Sequence, residues 1–226
     1  MPFVDDDADR FSALRAAMVE TQLRARGIAD PAVLAAMGSV LREDFVPGRL
    51  RDRAYDDEPL PIEERQTISQ PWIVALMLEA AALEAGDRVL EVGAGSGYAA
   101  AVAASIASRV DAIERHAALA DDAAERLRRL GFDNVAVHHA DGSGGWPAAA
   151  PYDAILVAAS APVVPDALRR QLAVGGRLVM PVGNTLWSQR LVRVTRRDVD
   201  RFDETDLGGV VFVPLIGEHG WPEGGR

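Results

Sequence analysis

At 226 residues with a formal net charge of −10, the chain is long enough for one substantial core and carries the wrong sign for broad electrostatic capture of nucleic acid. It has no cysteine, which removes disulfides and cysteine-ligated zinc, and no uninterrupted apolar run approaches the roughly 20 residues of a membrane span. The acidic opening MPFVDDDADR resembles neither a secretory signal nor a transit peptide, so a cytoplasmic protein with no membrane partner is expected.

Residues 9–26 read as a helix with Phe11, Leu14, Met18 and Leu23 as apolar positions, stopped by Gly27. Asp30-Pro31 restarts a helix carrying Val33, Leu34 and Met37. The charged stretch 41–62, broken by Pro47, Pro59 and Pro61, reads as loop and short helix crossing a surface. RQTISQPW (65–72) follows, a polar knot in which Pro71 forbids an ordinary central strand and biases Ser69-Gln70 towards extended or turn geometry.

From Gln70 the pattern changes. A helix spans Trp72 to Leu83 and ends near Gly86, with Trp72, Met77 and Leu78 read as core. RVLEVGAGSGY is an apolar strand with a glycine turn, and AAAVAASIAS a small-residue helix. RVDAIER, NVAVHHADG, YDAILVAAS and GRLVMPVG are further strands, with HAALADDAAERLRRLGF and PDALRRQL as helices among them. Strands alternating with helices of this length indicate βαβ units and a parallel sheet, hence an α/β fold. QRLVRVTRR and GGVVFVPLI, separated by a short acidic linker, suggest an antiparallel pair at a sheet edge. The C-terminal PEGGR is expected to fray.

EVGAGSGY (Glu91–Tyr98) lies where the first parallel strand hands over to a helix. Gly93, Gly95 and Gly97 can permit a tight turn, close ligand approach and close helix packing. A dinucleotide fingerprint would need glycine where this chain has Tyr98. The order G-A-G-S-G instead resembles the S-adenosylmethionine loop of class I methyltransferases. Glu114, about 20 residues on at the end of the second strand, is placed to accept hydrogen bonds from ribose hydroxyls. Asp141-Gly142 closes the third strand at the same sheet edge, where a carboxylate can meet an adenine amino group. His138 and His139 are adjacent strand residues pointing to opposite faces, so they do not ligate one metal together, and no metal is expected. Trp146 and Trp187 each stand near a loop at that edge as core or pocket lid, with core slightly favoured for Trp146.

Taken together, PLPI, QTISQP, EVGAGSGY, APYDAILVAASAPVVPDAL, GGRLVMPVG and VVFVPL stand in the order found in protein-L-isoaspartate O-methyltransferases. The chain resembles that family from roughly Met18 to Leu215. The resemblance implies a class I S-adenosylmethionine-dependent methyltransferase: a Rossmann-like, mostly parallel seven-stranded sheet with an N-terminal helical segment and antiparallel C-terminal edge strands. It also implies one domain over 1–226, made of a helical and substrate-loop segment (1–69), a cofactor-binding core (70–190) and edge strands with a tail (191–226). The implied reaction moves a methyl group from S-adenosylmethionine to the carboxylate of an isoaspartyl residue in a damaged protein, whose ester then closes to a succinimide. By the same resemblance Ser69 is the active-site hydroxyl, and Thr67, Ile68, Val213, Pro214 and Leu215 meet the substrate. Glu91, Gly93, Gly95, Ser96, Gly97, Glu114, Arg115, Asp141 and Gly142 are the implied cofactor set. A monomer is expected.

One departure stands beside the opening motif. The family commonly approaches QTIS through P-I-G-x-G, whereas this chain has PIEER. Glu63 and Arg65 replace small residues beside the expected substrate cleft, leaving room for a dedicated aspartyl peptide as an alternative substrate. A non-catalytic S-adenosylmethionine-binding adaptor is a further alternative, disfavoured by the intact loop, Glu114 and Ser69.

Overall fold

The computed structural model describes residues 6–184 and 188–224; Trp187 lies outside the described residues. Helix α1 (Asp6–Ala17) continues into a π-helical turn, Met18–Leu23, and a 3-10 turn, Arg24–Arg26. The winding changes where Met18, Val19 and Leu23 become buried. Gly27 stops the rod at φ 97° and ψ 4°, a left-handed cap that suits glycine. In the next helix, α2 (Pro31–Ser39), Asp30 caps the start by accepting from the Ala32 and Val33 N–H groups at 2.8 and 3.1 Å.

The charged stretch is loop and short 3-10 turns with Arg49, Arg51, Asp52 and Arg53 exposed, as expected, but part of it turns inward. Arg42 is 0 % exposed, and Glu43, Phe45, Ala54 and Tyr55 are buried with it. Glu43 is matched internally: Tyr55 Oη donates to it at 2.5 Å, and Arg15 lies 3.6 Å from it and reaches Tyr55 Oη at 3.1 Å. Strand β1 (Leu60–Pro61) then pairs antiparallel with β2 (Thr67–Ile68), so the polar knot is one arm of a small hairpin.

Helix α3 (Pro71–Ala81) starts at its proline and stops at Ala82, well before Gly86. Ala82 takes left-handed backbone at φ 49° and ψ 58°, and Arg177 caps the end it leaves. Its Nε donates to the Ala81 carbonyl at 2.6 Å, and its Nη2 bonds the Ala82 carbonyl and Asp87. A charged side chain thus satisfies the last carbonyls of the helix.

The remaining elements are β3 (Arg88–Val92), α4 (Tyr98–Ala104), β4 (Arg109–Glu114), α5 (Ala117–Arg129), β5 (Val135–His139), β6 (Tyr152–Val157), α6 (Asp166–Arg169), β7 (Leu172–Val182), β8 (Gln189–Arg196) and β9 (Phe202–Val210). They build a seven-stranded sheet in the order β5-β4-β3-β6-β7-β8-β9. The strands from β3 to β7 run parallel, and β8 and β9 close the edge antiparallel. Alternate residues serve opposite faces: Val89 joins the larger core beneath α3 and α4, and Leu90 joins the smaller one with Leu168 and Leu172.

Two further boundaries differ from expectation. The helix in PDALRRQL is one turn only, because Leu172 pairs with Tyr152 and the Tyr152 N–H bonds the Gln171 carbonyl at 2.8 Å. The last strand is 202–210 rather than 208–216. Register with β8 runs from Arg196↔Phe202 to Gln189↔Val210, so the supposed acidic linker lies in the strand. An edge strand buries little, and Asp203, Glu204 and Asp206 stay exposed there.

Candidate active site

Chain order reverses beside β3, with β4 and β5 on one side and β6 on the other, and ligands bind at the carboxyl ends of the strands at such a point. The glycine loop leaves β3 there. Gly93 and Ala94 donate to the Ile113 carbonyl at 2.8 and 3.0 Å, fastening the loop to the end of β4. Gly97 opens α4 at φ 86°, and a Cβ on it would stand 3.1 Å from Leu127 Cδ1. The conformation favours glycine here, and a larger residue would also press on Leu127.

A cavity of about 1330 Å³ opens over this loop. Glu91, Gly93, Gly95, Ser96, Glu114, Arg115 and Gly142 line it. Gly97 and Asp141 are not among the lining residues. Gly97 supports the loop from behind, and the Asp141 carboxylate accepts from the Ser143 N–H at 2.9 Å and the Glu218 N–H at 2.8 Å. Burial alone would raise the Asp141 carboxyl, but those N–H groups overcome it and hold the group below its ordinary range. Gly142 is tight as well, since a Cβ on it would sit 2.6 Å from Val92 Cγ1. Glu114 is buried, and its two oxygens accept from the Gly95 N–H at 2.9 Å and the His116 N–H at 3.0 Å. It ties the glycine loop to the start of α5.

Glu91 is the electrostatic anomaly. It is buried, and among the described residues its Oε2 has no hydrogen-bond partner. Burial, with the Glu114 charge adding to it, pushes the carboxyl from its ordinary 4.5 up to about 8. An orphaned buried carboxyl oxygen at the cavity wall suits a ligand that brings a hydrogen-bond donor or a positive charge.

Thr67, Ile68 and Ser69 line the opposite wall. Their backbone is held from below by Arg42, which donates from Nε to the Ala54 carbonyl at 2.7 Å and from Nη2 to the Ser69 carbonyl at 2.8 Å. Its guanidinium carbon lies 4.7 Å from the Tyr98 ring centre, so one buried cation touches both the Ser69 loop and the first residue of α4. Burial lowers the Arg42 pKa. Trp72 is partly buried at the same wall. It packs on the core as expected, but it also lines the cavity under Arg26, 4.1 Å away. Trp146 is partly buried in the second core, stacked on His138 at 4.1 Å. His138 bonds Asp111 at 2.9 Å while His139 is exposed.

Val213, Pro214 and Leu215 form the third wall. Ser160, just beyond β6, donates its N–H to the Val213 carbonyl at 2.8 Å and accepts from the Leu215 N–H at 2.7 Å. Gln189 grips Phe212 at both backbone groups, accepting from its N–H at 2.7 Å and donating to its carbonyl at 3.0 Å. Trp221 donates from Nε1 to the Ser160 carbonyl at 3.0 Å. The sequence did not point to Arg42, Ser160, Gln189 or Trp221; only Ser160 lay inside a motif used for the resemblance.

The two non-glycine residues Glu64 and Arg65 stand at φ 54° and φ 57°, where the family pattern has glycine nearby. Left-handed backbone costs a side-chain-bearing residue on the order of 1 kcal/mol.

A parallel sheet with its glycine loop and acidic strand ends at the reversal point, closed by an antiparallel pair, defines a class I S-adenosylmethionine-dependent methyltransferase. The Protein-L-isoaspartate(D-aspartate) O-methyltransferase family profile matches residues 14–220. The chain belongs to that family. It is 60% identical to Protein-L-isoaspartate O-methyltransferase 1 of Rhodopseudomonas palustris over 97% of this chain and 90% of that one. A solved protein-L-isoaspartate O-methyltransferase superposes with a TM-score of 0.81 at 30% identity, covering 91% of this chain and 67% of that one. The Plasmodium falciparum structure, bound to S-adenosyl-L-homocysteine, gives 0.77 at 28% identity over 89% and 98%.

Proposed function

We propose that the chain methylates the free carboxylate of L-isoaspartyl residues in damaged proteins or peptides, with S-adenosylmethionine as donor. The observation that carries the reading is the convergence of the Ser69 loop, the glycine loop and the Val213–Leu215 segment on one cavity at the sheet's reversal point. Family membership over residues 14–220 supports the substrate class.

The chemistry asks little of acid–base groups. Bound S-adenosylmethionine supplies a methyl on a cationic sulfur, and a carboxylate is already ionised at neutral pH. This chain's residues therefore bind, orient and dry the pair, and orientation alone can lower a barrier by roughly 7 kcal/mol or more. Ser69 donates its hydroxyl to the substrate carboxylate. Thr67 and Ile68 shape that wall, and Val213, Pro214 and Leu215 present an extended backbone to the peptide. Gly93, Gly95 and Ser96 cradle the cofactor, Glu91 meets its charged end, and Glu114 keeps lone pairs for the ribose. Arg115 and Gly142 flank the base. Gly97 holds the loop in shape, and Asp141 contributes through the segment it fastens.

The chain is read as one methyltransferase domain, with 1–69 as helical and substrate-loop segment, 70–190 as cofactor core and 191–226 as edge and tail. The larger core cluster, which runs from α1 residues to sheet residues, supports this. No helix among the described residues is long and apolar enough to cross a membrane. We take the protein to be a cytoplasmic monomer. The cysteine-free sequence is compatible with a reducing compartment, and the exposed large apolar side chains are dispersed along the chain.

The direct test offers labelled S-adenosylmethionine with an isoaspartyl peptide and its normal aspartyl twin. Base-labile label in the isoaspartyl peptide alone is expected. Equal labelling of both, or of neither, overturns the reading.

A further inference from the structure

We propose that Arg65 selects isoaspartyl peptides carrying an acidic side chain within about four residues of the damaged position. The proposal rests on the reading of Ser69 as the substrate-facing hydroxyl.

The loop joining β1 to β2 is fixed by its own hydrogen bonds. The Ile62 N–H meets the Gln66 carbonyl at 2.9 Å, the Gln66 N–H meets the Glu63 carbonyl at 3.0 Å, and Gln66 Nε2 meets the Glu64 carbonyl at 3.0 Å. Two consecutive left-handed residues inside this turn send three charged side chains three ways. Glu63 lines a separate small pocket with Ser96 and Arg126. Glu64 reaches His116, with Oε2 3.7 Å from Nδ1. Arg65 lines the main cavity with Thr67 and Ser69. Strained, side-chain-bearing backbone at a site is a reason to look for what the side chain does there.

Arg115 pairs with Glu223 at 3.0 Å and His116 with Glu64, whereas Arg65, among the described residues, has no carboxylate within 4.0 Å. A planar guanidinium is built to take a carboxylate through two parallel hydrogen bonds. With a net charge of −10 the protein as a whole repels acidic peptides, and a cation lining the cavity offers them a local attraction. Arg65 and Ser69 are four residues apart. Extended chain advances about 3.3 Å per residue, so an extended peptide with its isoaspartyl group at Ser69 passes Arg65 within about four positions.

The test measures kcat/KM for isoaspartyl peptides with Glu or Gln at each of the four positions on either side, using the intact protein. Wild type should prefer Glu by about 3- to 5-fold at one or more positions, the range of a partly exposed ion pair, and the preference should shrink in high salt. Arg65→Gln should abolish the preference while keeping turnover of the Gln peptides, and Arg65→Lys should restore most of it. Gln and Lys carry the same backbone strain, so the comparison isolates charge. Indifference of wild type at every position, or a preference that survives Arg65→Gln, overturns the assignment of Arg65. No methylation of any isoaspartyl peptide instead overturns the activity reading on which it rests.

Discussion

Replacing Glu91 by glutamine should change how stability depends on pH. The carboxyl is buried at 2 % exposure and raised from 4.5 to about 8 in the folded protein. A raised acid binds its proton more tightly folded than unfolded. Its contribution to stability is therefore fully present below the unfolded value of 4.5 and is lost as pH rises through 8. Each pH unit in that window is worth about 1.4 kcal/mol. From pH 5 to pH 9 wild type should then lose about 4 kcal/mol that the variant, which cannot titrate there, keeps. Urea unfolding of both proteins at pH 5, 7 and 9 measures this. The stability difference should move steadily in the variant's favour with pH. Parallel curves across the range would show that Glu91 is not held protonated by its surroundings.

Ser69→Ala should reduce turnover roughly 10- to 100-fold, the worth of a hydrogen bond to a charged group, while cofactor affinity by calorimetric titration stays the same; an unchanged rate removes Ser69 from the mechanism. Glu114→Ala should weaken cofactor binding and also lower the melting temperature, because it strips the acceptor from the Gly95 and His116 N–H groups. Equal cofactor affinity would refute the ribose assignment. Arg42→Met should cost about 2–4 kcal/mol by leaving the Ala54 and Ser69 carbonyls without their donor, and it should slow turnover through the displaced Ser69. A variant with the wild-type denaturation midpoint and full activity would contradict the role of the guanidinium.

The parallel part of the fold was legible because its central strands are buried on both faces and read as short apolar runs between helices. Val89, Leu90 and Val92 before the glycine loop are all essentially inaccessible. The antiparallel edge pair was legible too, but the bounds of its last strand were not, since Asp203, Glu204 and Asp206 give β9 no apolar signature and only pairing with β8 defines it. At the site, the glycines and Glu114 announced themselves by spacing. Arg42 did not, because an arginine in a charged stretch has the composition of surface. Its burial depends on carbonyls at 54 and 69 and a ring at 98 that only the tertiary structure brings together. Gln189 and Trp221 act on backbone atoms far along the chain, which leaves no local pattern.

The charged outer strand has a consequence for a protein that handles damaged clients. Such clients expose unfolded backbone, and an open sheet margin is a template on which loose chains aggregate. Asp203 and Asp206 are each tied to an arginine on the neighbouring segment, and their exposed charges discourage a foreign strand from settling there. Beyond Val210 the chain leaves the ladder, with Val211 and Val213 exposed. Gln189 and Ser160 satisfy inward-facing backbone groups in the manner of a missing neighbour. Charged side chains thus guard the long margin, and on the proposed reading an extended peptide would be engaged only at the short stretch beside the cavity, which would separate engaging a client from being fouled by it.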